Sequence, residues 1–91
     1  MIESKTRLAR NPQVVYRELA GEGGVLLHLE TAQYHGVNET GLAIWELLDG
    51  ERTVAEVVTE LSARLDDAPP ALEDDVVAFL GALSARGLAL D

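Results

Sequence analysis

Apolar and polar positions in the first forty residues follow the short, loosely alternating pattern of β-strands. Residues 13–17 are rich in β-branched and aromatic side chains and follow the turn-forming pair Asn11 and Pro12. Residues 25–29 are apolar with little interruption, which indicates a central strand contacted on both faces. Residues 33–37 alternate enough to pair back against that strand. The pattern predicts a three-stranded antiparallel sheet whose third strand has one edge unpaired.

Apolar residues at helical spacing predict a first helix directly after the strands. Either Asn38 or Thr40 can cap its start, and Asp49 followed by Gly50 is expected to end it. Its apolar positions are Leu42, Ile44, Trp45, Leu47 and Leu48. We expect the single tryptophan to be a core anchor because of its size. A short turn over residues 49–52 is expected to lead into the next helix.

A second amphipathic helix begins with a capping box, in which Thr53 is followed three residues later by Glu56. Its apolar residues recur at the spacing of one helical face: Val54, Val57, Val58, Leu61 and Leu65. Residues 66–70 contain two acids and two prolines, and proline cannot continue the helical hydrogen bonds. The helix is therefore expected to break there.

A third helix is expected from Pro70 or Ala71 to Arg86 and Gly87, because proline is tolerated in a first turn and glycine ends a helix well. Its apolar positions are Leu72, Val76, Val77, Phe79, Leu80 and Leu83. Residues 88–90 either tuck against the helices or form a wing strand. The whole pattern predicts one α+β domain over residues 1–91, a winged helix-turn-helix with an N-terminal three-stranded antiparallel sheet followed by a three-helix bundle.

Charge is unevenly distributed along this 91-residue chain of net charge −9. The first twenty residues contain four basic and two acidic side chains, whereas the remainder contains three basic and fourteen acidic ones. Such an acidic body repels phosphate backbones and anionic membranes and attracts cationic partners.

No apolar run approaches the roughly 20 residues that span a bilayer, and the N-terminus lacks a secretion signal. With no cysteine in the sequence, these features predict a cytoplasmic protein without a membrane partner.

The reactive side chains do not favour catalysis. His28 lies within the apolar strand, where a packed imidazole is more common than a general base, and His35 lies on the third strand. Neither has a cysteine to pair with, and no serine stands at a suggestive spacing from a histidine. Further metal ligands beside the two histidines are not evident. We therefore expect a protein that is not an enzyme and has no catalytic residues, metal or cofactor.

The alternative to a peptide-binding or enzymatic protein is a winged-helix DNA-binding protein, in which the third helix would be the recognition helix. That helix would present Glu73, Asp74 and Asp75 to the groove, and its one basic residue, Arg86, lies at the far end. Proteins gain affinity for DNA through lysine and arginine contacts to phosphates. The charge pattern therefore argues against a nucleic-acid partner.

Peptide binding fits both halves of the chain. An open strand edge offers N–H and C=O groups that an added strand can satisfy. The third helix has more apolar positions than one buried stripe requires, so Val76 and Phe79 are candidates to line a groove beside the third strand. Asp74 and Asp75 either help to capture a basic peptide or are simply stabilised by the helix dipole.

The chain resembles the PqqD-like family from about Arg7 to Leu90. These proteins are recognition elements that bind the leader peptides of ribosomally synthesised and post-translationally modified peptides (RiPPs). The resemblance is carried by Tyr34-His35-Gly36-Val37-Asn38, Ile44-Trp45-Glu46-Leu47-Leu48-Asp49-Gly50, Thr53-Val54-Ala55-Glu56-Val57-Val58, Asp75-Val76-Val77-Ala78-Phe79-Leu80, Leu83 and Gly87-Leu88. Val37 stands where the family usually has leucine, a mild departure.

The resemblance implies that a leader peptide adds as an antiparallel strand to the third predicted strand and lies beside the third helix. The peptide-binding residues expected from the resemblance and the charge pattern together are Gln33, Tyr34, His35, Gly36, Val37, Asp74, Asp75, Val76 and Phe79. The resemblance also implies that the protein presents the precursor to a separate maturation enzyme. We favour lasso-peptide biosynthesis, with a leader peptidase or cyclase as partner, because the acidic body suits a lysine-rich leader. The alternative within the family is a peptide chaperone of pyrroloquinoline quinone biosynthesis, whose partner is a radical S-adenosylmethionine enzyme.

Overall fold

The structure, a computed structural model, describes residues 2–64 and 70–91. Strands and helices are mixed along this part of the chain, as the α+β prediction requires. The elements are β1 (Arg7–Arg10), β2 (Val14–Leu19), β3 (Gly23–His28), β4 (Gln33–Val37), α1 (Glu39–Leu47), β5 (Asp49–Thr53), α2 (Val54–Arg64), α3 (Leu72–Ala85) and β6 (Ala89–Leu90).

The predicted antiparallel meander is present as β2, β3 and β4, in that order across the sheet. Its third strand has the predicted bounds, but β3 begins at Gly23, within a stretch that the sequence marks as a turn. Gly23 has a φ of 88°, and a Cβ at this position would overlap the carbonyl oxygen of Val37. Only glycine lets the backbone approach β4 so closely.

A second three-stranded sheet, in the order β5-β1-β6, was not predicted. The segment after the first helix is strand β5 and not the expected turn, and it pairs with β1 so that Arg7 lies opposite Thr53 and Ala9 opposite Asp49. The sequence of β5 has no apolar alternation, so its extended state depends on hydrogen bonds to a segment about forty residues away. The prediction of a simple turn between the first two helices was therefore wrong. The tail contains the two-residue strand β6, which pairs with β1.

Local signals placed the starts of α1 and α2 correctly, whereas α3 begins at Leu72, immediately after the expected Pro70 or Ala71. The side chain of Asn38 caps α1 by accepting a hydrogen bond from the backbone N–H of Gly41 at 2.7 Å. At the start of α2, the Thr53 hydroxyl accepts from the Glu56 N–H and a Glu56 carboxylate oxygen accepts from the Thr53 N–H, at 3.2 and 3.0 Å. This is the reciprocal capping box. The predicted break at residues 66–70 falls, except for Pro70, outside the described residues, as does Leu65.

The hydrophobic core lies between the β2-β3-β4 sheet and the helices. Trp45 is fully buried, which confirms the core-anchor prediction, and the Tyr16 ring meets it edge-on with centroids 6.0 Å apart. Leu26 of β3 is also fully buried, and His28 is buried at the end of the same strand. Since Val25 and Leu27 are only half-buried, β3 packs tightly on one face and not on two as the apolar run suggested. Within the described ranges, no helix has both the length and the apolarity to cross a membrane.

Candidate functional site

The outer margin of β4 is an open sheet edge. In the described part of the chain β4 pairs with β3 alone, in a register that sets Tyr34 opposite Leu27 and Gly36 opposite Val25. An edge strand presents backbone N–H and C=O groups that an incoming extended chain can satisfy. The structure therefore brings the predicted residues Gln33–Val37 together as one accessible strand.

Side chains of β4 point alternately to the two faces of the sheet, because successive residues of a strand do so. Tyr34 is 73% exposed on the face away from the helices. His35 and Val37 are half-buried on the opposite face. The buried Nε2 of His35 has no hydrogen-bond partner among the residues that the structure describes. This nitrogen lies beneath the surface, so it is not itself a contact offered to a peptide at the strand edge.

A cavity of about 210 Å³ lies between the N-terminal parts of α1 and α3. Its walls contain three of the predicted helix residues together with residues of α1, and the full lining is Asn38, Thr40, Gly41, Ile44, Leu72, Asp75, Val76 and Phe79. No residue of β4 lines it. The cavity begins at Asn38, the residue directly after the last residue of β4, so the strand edge and the cavity adjoin at that residue.

The four predicted helix residues have different environments. Phe79 is half-buried and Asp75 is exposed, and both line the cavity. Val76 has no exposed surface, so it supports the cavity wall from within the core. Asp74 is exposed and does not line the cavity. Phe79 and Asp75 are therefore the two predicted α3 residues that a ligand in this cavity would touch most directly.

Gly41 is a site residue that the sequence analysis did not single out. A Cβ at this position would lie 3.1 Å from Cζ and 3.2 Å from Cε1 of Phe79, and 3.2 Å from Oδ1 of Asn38. The absence of a side chain at Gly41 therefore lets the phenyl ring lie directly against the first turn of α1. A glycine inside a helical pattern, where it is unfavourable, is the signal that could have found it.

Two carboxyl groups with lowered pKa values lie outside this site. Hydrogen bonds from the backbone N–H groups of Arg52 and Glu51 lower the pKa of Asp49, and the Arg52 guanidinium, 3.0 Å away, adds to the effect. Hydrogen bonds from the backbone and the hydroxyl of Thr53 lower the pKa of Glu56. Both groups stabilise the connection between α1 and α2 and neither lines the cavity.

The family model for coenzyme PQQ synthesis protein D (PqqD) matches residues 23–89. The chain belongs to the PqqD family. The match begins at the first residue of β3 and ends in β6, so it includes β4, α1 and α3 and hence both parts of the site. This confirms the family expected from the sequence.

Two curated relatives are PqqA binding proteins. The protein from Klebsiella pneumoniae (strain 342) is 43% identical over 63 residues, which are 69% of this chain and 65% of the relative. The protein from Kluyvera intermedia is 50% identical over 44 residues, 48% of this chain and 47% of that protein. The PqqD-family chain thus covers about 65% or less of the length of these relatives.

Three solved structures share the fold. TbiB1 in complex with the TbiA(beta) leader peptide is 33% identical with a TM-score of 0.75, over 89% of this chain and 93% of that one. Lasso peptide synthetase B1 complexed with the leader peptide has 23% identity and a TM-score of 0.76, over 94% and 100% of the two chains. The PqqD truncation of Methylobacterium extorquens PqqCD, a stand-alone RiPP recognition element, has 22% identity and a TM-score of 0.79, over 100% and 96%. The last two support the fold alone.

Proposed function

We propose that this protein is a non-catalytic recognition element that binds the leader peptide of a RiPP precursor. The observation that carries the proposal is the adjacency of an open β4 edge and the cavity beside Phe79. The likeness to TbiB1, which was solved with a leader peptide, and to the PqqA binding proteins supports it.

The leader pairs with β4 as an antiparallel strand, so its main chain supplies affinity that depends little on sequence. Leader side chains that point toward the helices contact His35 and Val37. A leader residue that lies just past the end of β4 enters the cavity and contacts Phe79. The acidic surface around Asp74 and Asp75 favours a leader with lysine or arginine near this end. Binding of a disordered peptide to one such module is expected at nanomolar to micromolar strength, about −8 to −12 kcal/mol.

The bound precursor is presented to a separate maturation enzyme in the cytoplasm. A lasso-type leader, processed by a leader peptidase or cyclase, is the first candidate, supported by the acidic composition of the protein, which suits a lysine-rich leader. A PqqA-type peptide and its radical enzyme are the second candidate, supported by the 43% identity to a PqqA binding protein.

The β5-β1-β6 sheet beside α3 is interpreted as the wing of a winged helix-turn-helix, used here for peptide and not for DNA. The first turn of α3 contains three acidic residues, which would oppose a phosphate backbone. Duplex DNA titrated at low salt is therefore expected to give no anisotropy change.

The proposal is tested by titrating isotope-labelled protein with synthetic leader peptides of the lasso and PqqA types and recording amide chemical shifts. The expected result is perturbation of Gln33–Val37, Gly41 and Phe79 by one of the two peptides and by no scrambled version. Perturbations confined to other elements would refute strand addition at β4. Preference for one leader type decides between the two pathways.

A further inference from the structure

The β2-β3-β4 sheet has a second apolar surface, on the face turned away from the helices. The cross-strand register groups Val15, Leu27 and Tyr34 in one row and Arg17, Val25 and Gly36 in the next. We call Val15, Arg17, Val25, Leu27 and Tyr34 the outer face. A depression of about 370 Å³, lined by these five residues and Tyr16, is larger than the cavity beside Phe79.

The composition of the outer face differs from that of the rest of the surface. Val15 is 47% exposed and Tyr34 is 73% exposed, and none of the described elements packs over them. The chain has sixteen acidic residues, yet the register places no carboxylate on this face, and Arg17 is its one charged group. Protein interfaces are enriched in aromatic residues and arginine and depleted of Asp, Glu and Lys. The outer face has that composition.

The single positive charge of the outer face, on Arg17, indicates which kind of partner can bind there. A twofold dimer buries the same patch of both copies against itself, so Arg17 would be buried against a surface without a carboxylate, and an unpaired buried charge is costly. We infer that the outer face docks a different protein, one with an apolar surface that offers a carboxylate to Arg17. We identify that protein as the enzyme that processes the precursor, and this identification rests on the proposed function.

Continuity with the β4 edge connects this partner to the leader peptide. A strand added to β4 extends the sheet and directs every second side chain to the same side as Tyr34. Three strands of about six residues form a surface of roughly 20 by 14 Å, near 280 Å². That is small beside the roughly 800 Å² that each partner buries in a standard interface. A fourth strand enlarges it by about a third, so the enzyme is expected to bind the leader-loaded protein more tightly than the free protein.

The test uses the purified enzyme that processes the precursor, a leader peptidase or a radical enzyme according to which leader binds, with this protein immobilised and the synthetic leader absent or saturating. Val15→Glu and Arg17→Glu are expected to weaken enzyme binding at least tenfold while leader affinity, measured by anisotropy, is unchanged. Leu90→Glu is the matched control, since Leu90 is 46% exposed but lies on the other sheet. Circular dichroism verifies that all three variants are folded.

Each outcome has a separate meaning. Equal enzyme binding by wild type, Val15→Glu and Leu90→Glu would overturn the inference. So would sedimentation showing a wild-type dimer that Val15→Glu dissociates, because the face would then bind a second copy. Failure of the leader to bind the wild type would refute the proposed function instead, and the comparison of Val15→Glu with Leu90→Glu on the enzyme would still decide whether the outer face is a docking surface.

Discussion

The contact between Gly41 and Phe79 predicts that adding one methyl group on α1 changes peptide binding more than stability. In Gly41→Ala the new Cβ would lie 3.1 Å from the Phe79 ring, closer than carbon atoms normally approach. The ring is half-buried and borders the open cavity, so it can move outward by a few tenths of an ångström. That movement narrows the space in which a leader side chain is proposed to sit.

The expected magnitudes follow from two opposing effects. Replacing glycine by alanine within a helix normally stabilises a protein by about 0.5–1 kcal/mol. Moving an aromatic ring outward by a few tenths of an ångström requires only a small rotation, which costs less than the roughly 0.5–1.5 kcal/mol of a 30° departure from a preferred rotamer. The two effects oppose each other in the free energy of unfolding, so the melting temperature is expected to change by only a few degrees. The leader must displace the ring again to bind, which weakens its affinity by up to about tenfold.

The assay is leader-peptide anisotropy together with thermal unfolding followed by the fluorescence of Trp45. Gly81→Ala is the matched control, because Gly81 lies in α3 and a Cβ there would meet nothing within 4 Å. It should raise the melting temperature and leave leader affinity unchanged. Phe79→Leu in the Gly41→Ala background should remove the added effect of the methyl group, so the two changes are expected to be non-additive. Wild-type leader affinity in Gly41→Ala, or strict additivity with Phe79→Leu, would refute this account.

Three further outcomes are expected. Trp45→Ala removes a fully buried ring and should lower the free energy of unfolding by about 3–5 kcal/mol; a smaller loss in denaturant titration would contradict its role as core anchor. Asp74→Asn with Asp75→Asn should slow leader association and flatten its dependence on salt, and unchanged salt dependence in stopped-flow measurements would exclude electrostatic capture. Hydrogen bonds from Thr53 lower the pKa of Glu56. The ionised Glu56 carboxylate therefore stabilises the fold fully above the ordinary pKa of 4.5, and this stabilisation is lost as the pH falls through the lowered pKa. Melting temperatures measured across that acidic range should therefore converge between wild type and Glu56→Gln, and parallel curves would show that the capping box does not titrate in this way.

Much of the fold could be predicted because its determinants lie within a few residues of one another. Asn38 caps the helix whose Gly41 N–H it accepts, and Thr53 and Glu56 close their capping box over three residues. The bounds of β4 follow from the alternation of a five-residue segment. The edge strand of the candidate site was therefore predictable together with the sheet that contains it.

The helix caps, the meander and the acidic character could be predicted without coordinates, since each depends on local spacing or composition, and the family followed from the resemblance of several short motifs. That the polar segment Asp49–Thr53 is a strand could be seen only in the folded protein, because its hydrogen-bond partners lie on β1. The burial of Val76 and the position of Phe79 at the cavity also required the folded structure, since both residues belong to the same apolar stripe of α3 and the sequence does not distinguish them. The position of the Phe79 ring depends on the absence of a side chain at Gly41, which lies on another helix. The sequence pattern of one segment does not predict which atoms of a second segment pack against it.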